Sequence, residues 1–309
     1  MGSIKLIFIF LIISFFSLKG FGQSAEEMLK GLDSVDAPKS GFKIGAGIGN
    51  SVFSTDNKAQ NARQVQSPLA FTPSIEYVNK SGFSITATGY LTSYNNKTSF
   101  SQYAINPAYE YEGKNVSFLL SYARYIIPDS YNTSTSPVQN DFYSNLVSTK
   151  GWLNPGIAVG FGNGNFKDSV RIDTLNIHGE NISSSKFKNF SLIGTLEHTF
   201  KSYGLLSKGD EFNFTPQLSA NMGGNKTLVT NSLNISFVRN RGRGRNISKS
   251  GKTSDSSPFQ LESAGLNLDV IYATRKFSFE PDLYLDYYLP STTLNRLTEI
   301  ATFNIFYNF

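Results

Sequence analysis

Apolar and small polar residues alternate with a period of two along most of this chain. Phe42, Ile44, Ala46 and Ile48 alternate with Lys43, Gly45, Gly47 and Gly49. Phe83, Ile85, Ala87 and Leu91 alternate with Ser84, Thr86, Thr88 and Thr92, and Phe212, Phe214, Leu218 and Ala220 with Asn213, Thr215, Gln217, Ser219 and Asn221. Phe277, Phe279, Leu283, Leu285, Tyr287 and Leu289 alternate with Ser278, Glu280, Asp282, Tyr284 and Asp286. Such alternation predicts β-strands with one apolar and one polar face. Twelve strands follow, over 42–53, 68–79, 83–94, 101–112, 116–127, 152–163, 187–200, 211–222, 227–238, 259–272, 277–289 and 297–309. Ten to fourteen is the range the pattern admits: an extra hairpin within 164–186 gives fourteen, and a misread 101–112 or 297–309 gives ten, while Pro73, Pro155, Pro216 and Pro281 fall inside strands and each removes a ladder donor.

The connections alternate too. Asn79–Gly82, Glu112–Asn115, Gly223–Lys226 and Ala273–Lys276 read as tight turns, while 54–67, 128–151 and 239–258 read as long polar loops. Residues 164–186 break this rule, being a long segment where a short turn is expected. The N-terminus carries Lys5, an apolar run from Leu6 and small residues at Gly20 and Gly22, which reads as a signal peptide over 1–22. Residues 23–40 read as a lead-in segment and 41–309 as the strand domain.

The chain ends on a strand. Phe303, Ile305, Tyr307 and Phe309 share one face, and Thr302, Asn304 and Asn308 the other. An export signal, many strands of about ten residues and a final aromatic strand resemble the outer-membrane β-barrel proteins of Gram-negative bacteria, and the Phe21-Gly-Gln23 signal end looks like those of Bacteroidetes barrels. The resemblance implies an all-β, antiparallel up-and-down transmembrane barrel in the outer membrane. It implies periplasmic tight turns, extracellular loops, outer-membrane lipid and lipopolysaccharide as neighbours, and a last strand read by the insertion machinery.

With apolar alternates facing lipid, the opposite face lines the interior. That face holds Glu76, Glu110, Glu197, Asp269, Glu280, Asp282 and Asp286 against Lys43, an acidic lining that favours cations. A porin-like channel for small hydrophilic or cationic solutes is the first expectation. The alternative is a closed barrel whose carboxylates are internally paired and whose loops bind a surface component. For that role the strongest charge cluster is the 239–252 stretch, with Arg239, Arg241, Arg243, Arg245, Lys249 and Lys252, where guanidinium groups suit lipopolysaccharide phosphates. Inward glycines, Gly45, Gly47 and Gly49 on the first strand and Gly156, Gly160 and Gly162 on the sixth, leave room for Tyr284 and Tyr288 or for a passage.

Composition narrows the chemistry. The 309 residues include no Cys, which excludes disulfides and thiolate metal sites. The formal charge of +5 falls to +3 once Lys5 and Lys19 leave with the signal, too small an excess to point to nucleic acid. His178 and His198 are the only histidines, and neither begins the His-x-Ser pattern of barrel lipid hydrolases, so a rim-sited hydrolase is a minor alternative. No catalytic, metal or cofactor constellation is expected.

Overall fold

The computed structural model describes residues 40–50, 69–94, 97–127, 138–174, 177–207, 209–237, 245–290 and 296–309. Fourteen strand segments run in chain order: β1 (Gly41–Gly49), β2 (Ala70–Val78), β3 (Phe83–Tyr94), β4 (Lys97–Glu112), β5 (Val116–Ile126), β6 (Asn140–Ser148), β7 (Asn154–Thr174), β8 (Ile177–Glu197), β9 (Phe200–Tyr203), β10 (Glu211–Phe237), β11 (Arg245–Ser256), β12 (Gln260–Ala273), β13 (Phe277–Tyr288) and β14 (Leu297–Asn308).

They build a closed antiparallel barrel of twelve wall strands. β8 and β9 are one wall strand interrupted at 198–199, since both pair with β10 in a single register, Glu197 to Gln217 and Phe200 to Phe214. The interruption faces Pro216, which has no donor to offer. β11 and β12 likewise follow one another along the other side of β10. Each wall strand pairs with the next, and β14 pairs with β1 from Lys43–Asn308 to Gly49–Thr302, so the barrel proper has no open edge.

The prolines show how the wall tolerates missing donors. Pro73 pairs towards β1 and Pro107 towards β3, and the ladder on the far side of each skips that position. Pro281 pairs towards β14, with a gap facing β12. Each proline turns its donorless edge to a local gap and stays within its strand.

Short turns at 79–82, 113–115, 149–153 and 274–276, together with residues 204–207 and 209–210, close one end, here the turn end. Gly82 (φ +90°) and Gly209 (φ +89°) supply left-handed backbone in two of them. In the turn that holds Gly209, buried Asp210 accepts N–H groups from Leu205, Leu206 and Ser207 at 2.7–2.8 Å and the Tyr272 hydroxyl at 2.8 Å. Burial works against its charge, but these donors together outweigh it and hold the carboxyl below its usual range. At the opposite loop end, β7, β8, β10 and β11 continue past the other strands as a four-stranded extension, in the order β7-β8-β10-β11.

The expected strand count of twelve is met through two compensating differences. β6 lies inside the expected loop 128–151, because Asn140–Ser148 offers only Phe142 and Leu146 as apolar alternates. β10 runs unbroken through Gly223–Lys226, where a turn is expected. Neighbours on both sides override that turn chemistry: Gly223 pairs with Ser191 of β8 on one side and Gln260 of β12 on the other. Residues 164–174 and 177–186 form no long turn at the turn end; they are the outer parts of β7 and β8, paired with each other. Residues 245–256 of the expected loop 239–258 are strand β11. Residues 1–39, which contain the expected signal peptide and most of the lead-in, lie outside the described residues.

Candidate functional site: the barrel interior

Register and exposure sort every wall position into two faces. Phe42, Ile44 and Ile48 on β1 are 44–54% exposed, while Gly45, Gly47 and Gly49 are buried. The outward face carries two aromatic bands. One rings the turn end and includes Phe42, Tyr77, Phe83, Tyr109, Phe200, Phe214, Phe277, Tyr307 and Phe309. The other lies nearer the loop end and includes Phe71, Phe100, Tyr103, Phe142, Phe161, Phe190 and Tyr287. Between them the outward positions are chiefly aliphatic, among them Ile75, Ile85, Ile105, Leu146, Ile157, Leu218, Leu268 and Leu283. A continuous apolar surface of this extent has no soluble rationale.

The C-terminal strand fits this scheme. Phe303, Ile305, Tyr307 and Phe309 face outward, and Tyr307 meets Phe277 and Phe309 edge-on at 5.1 and 4.9 Å. The Phe309 N–H donates to the Phe42 carbonyl at 3.0 Å, tying the last residue to the first strand. Phe306 is an exception to the polar face: it turns inward and its ring covers Gly45.

Inside, the predicted carboxylates have distinct settings. Glu76 pairs with Lys43, its direct register partner, at 3.3 Å, and both lie within electrostatic reach of Glu280. Ser278 donates to Glu280 at 2.9 Å. Glu197 accepts from Gln217 at 2.5 Å. Asp269 and Asp282 are direct register partners on one face, with Thr215 and Thr302 on either side of them. Asp286, 1% exposed, accepts from the Tyr284 hydroxyl at 3.0 Å. Glu110 keeps inward parity but stands exposed at the turn end.

Further carboxylates join this face without having been expected, two of them buried. Asp141 sits on the unrecognised β6, buried between Ala123 and Gly162. Glu262 is the extra residue where the β10–β12 register shifts. That bulge turns Glu262 and Ser263 inward together, both buried. Ser101 plays the same part in the β3–β4 bulge, its hydroxyl donating to the Tyr90 carbonyl at 3.2 Å.

The interior changes along its length. Towards the turn end, inward residues such as Ser74, Thr86, Asn106, Gln217, Asp269 and Asn304 are half-buried. Towards the loop end they are buried: Thr92, Gln102, Tyr125, Asn221, Ser263 and Asp286 are all at or below 1% exposure. Two apolar clusters fill this part. One joins Tyr90 and Tyr125 with Ala70, Ala104 and Ala123. The other joins Ile193 and Ala158 on β7–β8 to Tyr284 and Ile300 on β13–β14, with Tyr143 of β6 against it. β6 and β14 stand on opposite sides of the barrel, so this second cluster crosses the interior. Glycine makes the crossing possible, since a Cβ on Gly265 would strike the Tyr284 ring.

The remaining predicted positions lie elsewhere. Arg239, Arg241 and Arg243 lie outside the described residues, Arg245 begins β11, and Lys249 and Lys252 are exposed on that strand. His198 sits in the β8–β9 interruption, Nδ1 against the Trp152 carbonyl at 2.5 Å and its ring edge-on to Phe200. His178 lies in β8. Among the described residues, no group of histidines and carboxylates is arranged to hold a metal ion.

No family model matches the chain, and no curated protein matches it. Among solved structures, a bacterial polysaccharide outer membrane secretin aligns over 88% of this chain and 99% of its own, at 10% identity and a TM-score of 0.34. The outer membrane channel DcaP of Acinetobacter baumannii aligns over 87% and 96%, at 9% identity and 0.22. In-vitro folded OmpT, an outer membrane protein of Vibrio cholerae, aligns over 89% and 99%, at 8% identity and 0.22. Overlaps this loose carry no argument about what the chain does.

Proposed function

We propose that this chain spans an outer membrane as a barrel and that its interior is a narrow, cation-favouring passage for small hydrophilic or cationic solutes. The membrane part rests on the outward belt: aliphatic residues between two aromatic bands, the arrangement that matches a hydrocarbon layer about 25 Å tall. Residues 1–22 then serve as the export signal, the turn end faces the periplasm, and the final aromatic strand is the part read during insertion.

The observation that carries the channel reading is the charge on the inward face. Glu280, Asp269, Asp282 and Glu197 stand there with Lys43, which is already engaged by Glu76. Fixed carboxylates in a narrow interior raise the local cation concentration and repel anions. The cross-barrel cluster around Tyr284 makes the passage tight on the loop side. The same cluster supports a second reading, a closed barrel whose function lies in its extension.

Reversal potentials in planar bilayers under a salt gradient separate the two. The channel reading predicts small conductance steps with cation selectivity, weakened in the Glu280→Gln/Asp282→Asn double variant. Anion selectivity would refute the acidic passage, and silence from folded, inserted protein would leave the closed barrel standing.

A further inference from the structure

The outward face carries an ordered feature at the loop-end aromatic band. Tyr122, Phe142, Phe161, Phe190 and Gly224 are successive register partners across β5, β6, β7, β8 and β10. The four aromatic residues are 38–44% exposed. Phe259, beside Gly224, extends the row and lies 5.9 Å ring to ring from Phe190.

One step further from the barrel centre lies a second row. Arg124, Asn140, Asn163, Lys188 and Lys226 are again successive register partners across the same strands. Its β5–β7 part is pinned: Asn140 Oδ1 accepts from Arg124 at 2.6 Å and from Tyr122 at 2.7 Å, and Asn140 Nδ2 donates to Asn163 at 2.9 Å. Arg124, Lys188 and Lys226 are exposed. The next row on this face holds Asn165, Lys186, Leu228 and Ser254. Neither row contains a carboxylate.

Lys188 and Lys226 stand directly opposite each other, a like-charge pairing that destabilises a sheet unless an anion lies between the ammonium groups. An anion here would rest on aromatic rings on one side and meet a basic ledge on the other. That is the chemistry of a phosphate-bearing lipid, acyl chains on the rings and head group on the cations.

We propose that Arg124, Lys188 and Lys226 form a binding site for the phosphate groups of an anionic membrane lipid whose acyl chains lie along Tyr122, Phe142, Phe161 and Phe190. The site is distinct from the 239–252 stretch and rests on the membrane-spanning reading. Within that reading it faces the outer leaflet, on one side of the barrel only.

Native mass spectrometry of the full chain in neutral detergent tests it, with three probes: a bisphosphorylated acylated disaccharide, the same lipid stripped of phosphate, and inorganic phosphate. Retention of the phosphorylated lipid is expected, with at least a tenfold loss in Lys188→Gln/Lys226→Gln and no loss in the turn-end control Lys114→Gln/Lys150→Gln. The Lys188→Gln/Lys226→Gln protein should be at least as resistant to heat as wild type without lipid, and should lose the extra resistance that lipid confers. Equal retention by both double variants, equal retention of the dephosphorylated lipid, or displacement by millimolar inorganic phosphate would overturn the proposal. Flotation of the protein with liposomes checks the membrane reading separately, so failure of one is distinguishable from failure of the other.

Discussion

Replacing Tyr284 by Ala should open the barrel: single-channel conductance should rise several-fold while cation selectivity is kept. Tyr284 is 3% exposed and packs with Ile300, Ile193 and Ala158 in the cluster that crosses the interior. Its ring lies over Gly265, which has no side chain to move into the space left. The substitution also removes the hydroxyl that donates to buried Asp286. Loss of a large buried ring costs about 3 kcal/mol, and loss of the hydroxyl donor adds to that unless water replaces it. Entry of water is the event that conductance reads. Tyr288→Ala, on the same strand but outside this cluster, serves as the comparison and should change conductance far less. Unchanged conductance in folded Tyr284→Ala protein would show that the cluster is not the constriction.

The second large effect separates the two faces of the wall. Leu283 faces outward midway between Phe279 and Tyr287, with Leu268 and Ala301 as register partners. In a bilayer, Leu283→Arg puts a cation at the middle of the hydrocarbon and should cost about 2–4 kcal/mol of folding stability. Asn304 faces inward in the half-buried turn-end part, with Glu280 as its register partner. Asn304→Lys should cost under about 1 kcal/mol, because the new charge meets water and a carboxylate. Urea unfolding from liposomes measures both. Equal costs would contradict a lipid-facing exterior.

Much of this architecture was legible because strand periodicity is a local signal. The four clearest alternations, in β1, β3, the first half of β10 and β13, place the same residues on the same faces in the folded wall. What failed was decided by neighbours. β6 has too few apolar alternates to announce itself, and it forms because β5 and β7 flank it in register. Gly223-Gly-Asn-Lys226 has turn chemistry, yet strands on both sides and the Glu262 bulge hold it extended. The inward positions of Glu76, Asp269 and Asp282 follow from parity alone. Glu262 could not have been found that way, because a bulge shifts parity without marking the sequence. The outward row from Arg124 to Lys226 was equally hidden, since the stagger between strands, and not their spacing along the chain, aligns those residues.

The central claim is that alternate residues of one strand meet lipid and the barrel interior, and that the interior is wide at the turn end and narrows towards the loop end. A chain without Cys allows single cysteines to be placed one at a time with no background. In liposomes, a membrane-impermeant maleimide should label cysteines at Asn304 and Glu280 readily, at Tyr284 and Asp286 slowly, and at Leu283 and Leu285 not at all. Equal labelling of Leu283 and Glu280 would contradict the two-faced wall, and rapid labelling at Asp286 would contradict the narrowing.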